Sequence, residues 1–252
     1  MDKLKTISQL VVIGALLAAG PGFAAGGGSG HMESANIDPD NIASLQRGAR
    51  NFMNYCSGCH SAQYVRYTTI GKHLELSEEQ LIDNLMFNAE KTFETIQTSM
   101  TSEDARRWYG NAPPDLSLIA RAKGVDYLYN FLKGFYTAED SPTGVDNLVL
   151  AGTSMPHVLW ELQGYQRANF SMHENEDGSV TTTFEGFDSV IPGSMDAQQY
   201  DDFVRDTVNF LAYIAEPIRS DRQTLGVWVI MFLIFFLVLA SMLKKQIWKD
   251  VK

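Results

Sequence analysis

The sequence predicts a mainly α-helical domain with a small β-hairpin insertion and one C-terminal transmembrane helix. Apolar residues recur at helical spacing near both ends of the chain, residues 225–243 carry no charge, and turn-forming residues near position 177 separate two strand-like segments. The chain of 252 residues is 45% hydrophobic, which suits one globular domain with appendages. Its formal net charge of −10 argues against nucleic-acid binding and indicates either a cationic partner or simply solubility.

Residues 1–24 have the organisation of a secretory signal peptide. Lys3 and Lys5 precede an apolar run, and Gly22 and Ala24 occupy the positions that a signal peptidase reads. An uncleaved anchor helix is the alternative, but the apolar run is short for a membrane span. Residues 25–40 begin with a run of Gly and Ser, so we expect them to form a flexible N-terminal segment.

The next element is a helix that leads into the only two cysteines of the chain. Leu45, Ala49, Phe52 and Cys56 share one face of this helix. Gly48 lowers the helix propensity and is either merely tolerated or small enough to let another helix cross closely.

The cysteines Cys56 and Cys59 are followed at once by His60, and this Cys-x-x-Cys-His pattern predicts covalent attachment of one haem c. The two thiols add to the vinyl groups of the haem, and the histidine then lies beside the porphyrin as an iron ligand. A disulfide across two residues would stabilise little. A redox dithiol would need a βαβ context, and a zinc site would need further ligands.

A second axial ligand to the iron is expected, and a methionine sulfur in that position raises the reduction potential. Met155 and Met195 both lie in turn-rich loops, and spacing alone does not choose between them. His157 and His173 are weaker candidates, because either is more often a surface histidine. Met86 is expected in the core, on the apolar face of a helix that begins with a capping box.

The remaining elements follow in order. The run NEDGS, between two strand-like segments within residues 164–190, predicts the hairpin. Residues 196–216 predict an amphipathic helix, with Ser194 or Asp196 as its start, which ends before Pro217 and crosses the cysteine-bearing helix. Its apolar face consists of Tyr200, Phe203, Val204, Leu211 and Ile214.

The segment Leu225–Leu243 is expected to cross a membrane, because a helix of its 19 residues rises about 28 Å. A buried core helix would usually keep a polar stripe, which this run lacks. Residues 217–224 would be a polar linker, and the basic tail of residues 244–252 would stay in the cytoplasm. The haem domain, residues 41–216, would then lie in the periplasm, on the outer side of the inner (cytoplasmic) membrane, with a single pass.

Several blocks of sequence occur one after another along the chain, and their identity and order are informative. They are CSGCH, APPDLSLIARAKGVDYLYNFLKGFY at residues 112–136, SMPHVLWELQG, FLAYIAEP and the apolar C-terminus. Together they resemble cytochrome c1 of the proteobacterial type, the haem subunit of the quinol:cytochrome c oxidoreductase. The family's distal methionine precedes a proline, so the resemblance favours Met155. Many relatives have two prolines there, whereas this chain has one, and residues 164–190 match weakly.

The resemblance also implies roles for residues 113–127. Pro113 and Pro114 would pack on the haem, Arg121 would contact a haem propionate, and Tyr127 would line the haem pocket. Each has a plainer interpretation: the prolines delimit a helix capped by Asp115, or Arg121 is a surface cation. A buried propionate needs a cationic partner, which favours the specific role.

The function implied is transfer of electrons from a Rieske iron–sulfur protein to a soluble periplasmic cytochrome c. The partners would be those two proteins, cytochrome b and membrane lipid, within a dimeric cytochrome bc1 complex. A membrane-anchored cytochrome that serves a terminal oxidase is an alternative, as are a haem-based gas sensor and a tethered interaction module without haem. No catalysis by the subunit alone is expected.

Overall fold

The computed structural model describes residues 32–174 and 180–250, and about half of these residues are helical. The expected signal peptide, the first residues of the expected flexible segment and the NEDGS turn (175–179) lie outside the described residues. The helices are α1 (Ile42–Tyr55), α2 (Tyr67–His73), α3 (Glu78–Leu85), α4 (Ser102–Tyr109), α5 (Ile119–Lys123), α6 (Val125–Lys133), α7 (Trp160–Gln163), α8 (Ala197–Ala215) and α9 (Arg219–Ile247). The strands are β1 (Ala62–Arg66), β2 (Thr95–Ile96), β3 (Phe135–Thr137), β4 (Val145–Asn147), β5 (Gly164–Glu174) and β6 (Val180–Pro192).

Helices α1 and α8 cross at the centre of the domain, and their apolar faces form the main part of the core. A Cβ atom on Gly48 would lie 2.1 Å from the carbonyl oxygen of Asp206, so only glycine permits this approach. Of the two interpretations of Gly48, the close helix crossing is therefore the one that holds. The apolar side chains that the two helices bury are Leu45, Ala49, Phe52, Met53, Tyr200, Phe203, Val204, Val208, Phe210, Leu211, Ala212, Tyr213, Ile214 and Ala215.

Polar side chains in the same crossing satisfy one another. The Asp206 carboxylate accepts hydrogen bonds from Ser44 Oγ at 2.6 Å and from Arg47 Nε at 2.5 Å. Asn51 Nδ2 donates to the Phe203 carbonyl oxygen at 3.2 Å. Because buried polar groups without partners are costly, this pairing stabilises the crossing and fixes its register.

Two helix starts follow the sequence signals. Helix α3 begins with a capping box between Ser77 and Gln80, and Met86 at its C-terminal end is buried, as expected. Helix α8 begins with a second capping box, in which Asp196 accepts from Gln199 N. The two expected starts of α8, Ser194 and Asp196, are thus resolved in favour of Asp196.

The N-terminal segment differs from the expected flexible chain over its described part. Ala35 is fully buried; its N–H donates to Asp126 Oδ1 at 2.8 Å, and its carbonyl oxygen accepts from Arg205 Nε at 3.1 Å. The Asp38 carbonyl oxygen accepts from Asn209 Nδ2 at 2.7 Å. All three hydrogen bonds involve backbone groups of the N-terminal segment. The side chains of this segment therefore did not predict that it is fixed to the domain.

Each of the three sheets among the described residues has two antiparallel strands. In the longest, β5 and β6 pair from Gly164 opposite Pro192 to Glu174 opposite Val180, with two irregularities in register. Phe170 faces Phe184 across the pair. The short sheet β3–β4 pairs Phe135 with Asn147 and lies against β5.

Helix α9 extends over 29 residues and buries none of its side chains against the described chain. Among the described residues it is the one helix long and apolar enough to cross a membrane. It begins at Arg219, so most of the expected polar linker 217–224 is helical. Pro217 separates it from α8, since a proline ends the preceding helix.

Candidate haem-binding site

The Cys-x-x-Cys-His motif forms a tight turn directly after α1. Cys56 is the C-terminal cap of that helix, and its carbonyl oxygen accepts from Cys59 N at 3.0 Å and His60 N at 2.8 Å. Both cysteines are half-buried and neither is in a disulfide. The helix end thus presents two free thiols and an imidazole within one turn.

Burial keeps both thiols neutral. It raises the pKa of Cys56 to about 12, with a smaller contribution from the neighbouring Cys59, and it also raises the pKa of Cys59. A redox-active dithiol normally has a lowered thiol pKa in an electropositive setting. These cysteines therefore match covalent tethers better than a redox pair.

His60 is held by one hydrogen bond, from its Nδ1 to the Pro114 carbonyl oxygen at 2.7 Å. A proton on Nδ1 leaves the lone pair of Nε2 for a metal, which is the usual arrangement of a ligating histidine. Burial lowers the pKa of His60, and the Pro114 carbonyl and the Asp115 charge oppose that lowering. The imidazole is accordingly neutral at pH 7 and competent to bind iron.

The loop of residues 113–117 is tied to the residues that follow His60. Leu116 N donates to the Ser61 carbonyl oxygen at 2.8 Å, and Gln63 N donates to Asp115 Oδ2 at 2.9 Å. Asp115 Oδ1 also accepts from Ser117 N at 2.9 Å. The expectation that Asp115 caps a helix is wrong, because α5 begins only at Ile119 and Asp115 serves this turn instead. The bond from Ser117 N to Asp115 Oδ1 makes it an Asx turn.

A cavity of about 120 Å³ lies beside Cys59 and is lined by Pro113 and Asp115 among others. The structure thus brings Cys56, Cys59, His60, Pro113 and Pro114 together. Arg121 and Tyr127 lie further along, on the short helices α5 and α6.

Arg121 is exposed on α5. Glu216 is hydrogen-bonded by Arg222, which with the nearby charge of Arg121 holds its pKa below the usual range. The side chain of Arg121 is therefore near the end of α8, and no contact among the described residues ties it to His60. Tyr127 is half-buried, and its ring stacks on Phe131 with centroids 6.3 Å apart.

The two candidate methionines have different surroundings. Met155 is half-buried in the loop before α7, with its N–H 3.4 Å from Thr153 Oγ1. Met195 packs against the core, and its N–H donates to the Leu162 carbonyl oxygen at 3.1 Å. It lines a separate cavity of about 410 Å³ together with Arg50, Asn51, Asn54, Tyr55 and Phe203, none of which belongs to the cysteine motif.

His157, two residues after Met155, is buried, so the expectation of a surface histidine is wrong there. Its ring stacks on Phe135 at 5.0 Å between centroids and meets the edge of Tyr165 at 6.3 Å. Burial lowers its pKa to about 4. Among the residues that the structure describes, neither ring nitrogen has a hydrogen-bond partner, although the Gly164 backbone is close enough to oppose part of the lowering. His173 is exposed, as expected.

The donor set suits a porphyrin-held iron. Over residues 32–174 and 180–250, no group of three or more His, Cys, Asp or Glu side chains is placed to hold a metal ion. A porphyrin brings four nitrogen ligands of its own and needs only axial ligands from the chain. Two free thiols next to a neutral histidine with an available Nε2 supply the tethers and one of those axial ligands.

Comparison with known proteins identifies the family of the chain. Residues 36–251 match the model of the Cytochrome C1 family. The chain belongs to the cytochrome c1 family. Membership of the family implies a haem cofactor.

Relatives of this family member include the cytochrome c1 of Allochromatium vinosum, which is 44% identical over 96% of this chain and 99% of its own length. The ammonia monooxygenase gamma subunit of Nitrosomonas europaea is 37% identical over 87% of this chain and 88% of its own length. A longer protein named cytochrome b/c1, from Bradyrhizobium diazoefficiens, is 26% identical over 82% of this chain and 33% of its own length.

Proposed function

We propose that this cytochrome c1 family member is a membrane-anchored, monohaem c-type cytochrome of a dimeric cytochrome bc1 complex. It would accept electrons from a Rieske iron–sulfur protein and pass them to a soluble periplasmic cytochrome c. The observation that carries the proposal is the turn after α1, where two free thiols adjoin a histidine whose Nδ1 is 2.7 Å from the Pro114 carbonyl oxygen.

Cys56 and Cys59 would hold the haem through thioether bonds, and His60 would bind the iron through Nε2. When bound, the haem supplies one-electron chemistry, so the chain needs only to position it, tune its potential and provide a docking surface. The residues 113–117 keep His60 in one tautomer and one orientation. A half-buried Tyr127 would exclude water from one wall of the pocket.

Met155 would be the second axial ligand, because its side chain is not packed against the core cluster as that of Met195 is. Two protein ligands leave the iron no open position, which suits electron transfer rather than binding of a substrate. Arg121 would pair with a propionate, since its exposed guanidinium has no hydrogen bond or ion pair with the described residues.

The anchor would be α9, with its basic end in the cytoplasm and the haem domain in the periplasm. Its unburied apolar surface supports the role of anchor, and Lys244 and Lys245 in its last turn support this orientation. Cytochrome b is the expected neighbour in the membrane, because one relative carries both names in a single chain.

One observation favours a second candidate. The relative from Nitrosomonas europaea bears the name of an ammonia monooxygenase subunit although it covers most of this chain. A cytochrome that serves another membrane enzyme, such as a terminal oxidase, would keep the same haem site. Co-purification separates these candidates, since the bc1 proposal requires cytochrome b and a Rieske protein in the same detergent-stable complex.

The haem itself is tested with the full chain matured in a host that attaches haem c. We expect a haem-stained band on a denaturing gel that is lost in the double variant Cys56→Ala/Cys59→Ala, and no carbon monoxide binding to the reduced protein. The variant His73→Ala is the control, because His73 binds Tyr213 away from the motif. Release of the pigment into acidified acetone would contradict covalent attachment, and carbon monoxide binding would favour a gas sensor.

A further inference from the structure

Asp115 uses both oxygens of its carboxylate. Oδ1 accepts from Ser117 N at 2.9 Å and closes a turn within its own loop. Oδ2 accepts from Gln63 N at 2.9 Å and joins that loop to the strand that begins two residues after His60. A side chain bound at both oxygens has little freedom, so it fixes the peptide groups on either side of it.

The peptide group just before Asp115 carries the Pro114 carbonyl that binds His60. Two further bonds run between the same segments, from Leu116 N to the Ser61 carbonyl oxygen at 2.8 Å and from Tyr64 N to Ser117 Oγ at 3.1 Å. Ser117 is fully buried, which shields these bonds from water. The hydrogen bond from His60 Nδ1 to the Pro114 carbonyl oxygen is therefore one of several contacts that depend on the position of the loop 113–117.

Asp115 also brings a negative charge to this side of the imidazole. It is half-buried and lines the cavity beside Cys59 and Pro113. It directly follows Pro114, whose carbonyl oxygen lies 2.7 Å from His60 Nδ1. Groups that bind a ligating histidine tune the metal, and the charge around a haem shifts its potential.

We propose that Asp115 is the positioning residue of the proximal histidine: it holds the Pro114 carbonyl against His60 and lowers the reduction potential of the haem. The potential falls because ferric haem carries one more positive charge than ferrous haem, so a nearby carboxylate stabilises the oxidised state more. This inference rests on the proposed haem function of Cys56, Cys59 and His60.

The test is a redox titration of the full-length, haem-loaded protein in detergent. Asp115→Asn removes the charge and keeps an oxygen acceptor for one backbone N–H. We expect its reduction potential to rise, with covalent haem and the sulfur–iron absorption band retained. The g values of the ferric haem should also change, because the imidazole is held less firmly.

The matched control is Asp38→Asn. Asp38 Oδ1 accepts from Asp40 N at 3.1 Å, which is the same two-residue turn in the N-terminal segment. The reduction potential of Asp38→Asn should equal that of the wild type. If Asp115 had a purely structural role, Asp115→Asn would lower the midpoint of thermal unfolding. Its reduction potential would then equal that of Asp38→Asn.

If the Asp115→Asn variant does not acquire covalent haem, the reduction potential is measured on Asp115→Ser. A serine hydroxyl can close the same kind of turn without carrying a charge. An unchanged potential in the maturing variant, with haem attached, overturns the inference alone. Wild-type protein without covalent haem overturns the proposed function, and the inference with it. A raised potential in either Asp115 variant, with Asp38→Asn unchanged, supports the inference.

Discussion

Gly48 in α1 lies directly against the backbone of Asp206 in α8. A Cβ atom at Gly48 would be 2.1 Å from the Asp206 carbonyl oxygen and 2.7 Å from Phe210 Cβ. Backbone cannot move aside as the end of a flexible side chain can. The distance between the two core helices is therefore set by this glycine, and the cysteine motif at the end of α1 depends on it.

We expect Gly48→Ala to destabilise the domain although alanine favours helix formation. The two helices must separate, which costs about 1–3 kcal/mol in a packed core and exceeds the gain of about 1 kcal/mol in helix propensity. Thermal unfolding of the haem-loaded protein measures the loss. Gly226→Ala in α9 is the control, since among the described residues only the adjoining backbone of its own helix lies near its Cβ position. Equal midpoints for the two variants would contradict the tight crossing.

The central part of this fold is predictable from local patterns. Apolar spacing gave α1 and α8, and the capping residues Ser77 and Asp196 mark where two helices begin. Those signals lie within one or two turns of the chain, so a sequence displays them directly. The Cys-x-x-Cys-His motif is equally local, which is why Cys56 and His60 could be singled out without a structure.

The parts that sequence patterns did not give depend on distant residues. Asp115 meets Gln63, 52 positions away, through a backbone N–H that no side-chain pattern reports. His157 is buried because Phe135 and Tyr165 come from two different strands. Ala35 is fixed by Asp126 and Arg205 in the same manner. Such contacts follow from the tertiary fold alone.

The axial methionine is tested by paired substitutions. Met155→Leu should abolish the absorption band of the oxidised haem that reports sulfur ligation and should lower the potential, because a thioether favours ferrous iron. Met195→Leu is the matched control, since leucine fills a similar volume against the core and should cost less than about 1.5 kcal/mol. Loss of the band only in the Met195 variant would reverse the assignment.

The buried His157 predicts opposite results for two substitutions. His157→Phe keeps the stack on Phe135 and removes two buried polar atoms that have no hydrogen-bond partner within the described part of the chain, so stability should be equal or higher. His157→Ala leaves a cavity and should cost about 2–5 kcal/mol. Urea unfolding measures both, and His173→Ala is the exposed control. A phenylalanine variant as unstable as the alanine variant would show that the ring nitrogens matter.

An ion-pair network joins the N-terminal segment to α6 and α8, and it predicts an acid-sensitive step. Lys133 Nζ lies 2.7 Å from Asp201 Oδ1 and 2.5 Å from Glu33 Oε2. Burial alone would raise the pKa of Asp201, but hydrogen bonds from Lys133 and Tyr129 outweigh it and hold that pKa below its usual range.

Because the pKa of Asp201 is lower in the folded state, its contribution to stability is fully present above the ordinary value of about 3.9. It is lost as the pH falls from there through the folded-state pKa. Asp201→Asn should be less stable at pH 7 and should lose less on acidification, as urea midpoints at several pH values would show. Asp104→Asn, which removes an exposed pair with Arg107, is the control. If the urea midpoints of wild type and Asp201→Asn fell by the same amount on acidification, this role of Asp201 would be contradicted.

The acidity of the haem domain predicts how its electron transfer depends on salt. The chain has a net charge of −10, of which residues 1–24 contribute +1 and residues 244–252 contribute +3, leaving −14 on the part between them. A surface of that charge attracts a basic cytochrome over long distances, and salt shortens the range from about 30 Å at 0.01 M to about 8 Å at 0.15 M. Association, not the electron-transfer step itself, is what the salt weakens.

The second-order rate of reduction of a basic c-type cytochrome should therefore fall steeply between these two ionic strengths. Stopped-flow measurement with the haem-loaded protein gives the rate, and a small neutral electron acceptor is the control, because its encounter with the protein is not steered by charge. A rate that salt leaves unchanged for both acceptors would mean that the acidic surface maintains solubility and does not guide the partner.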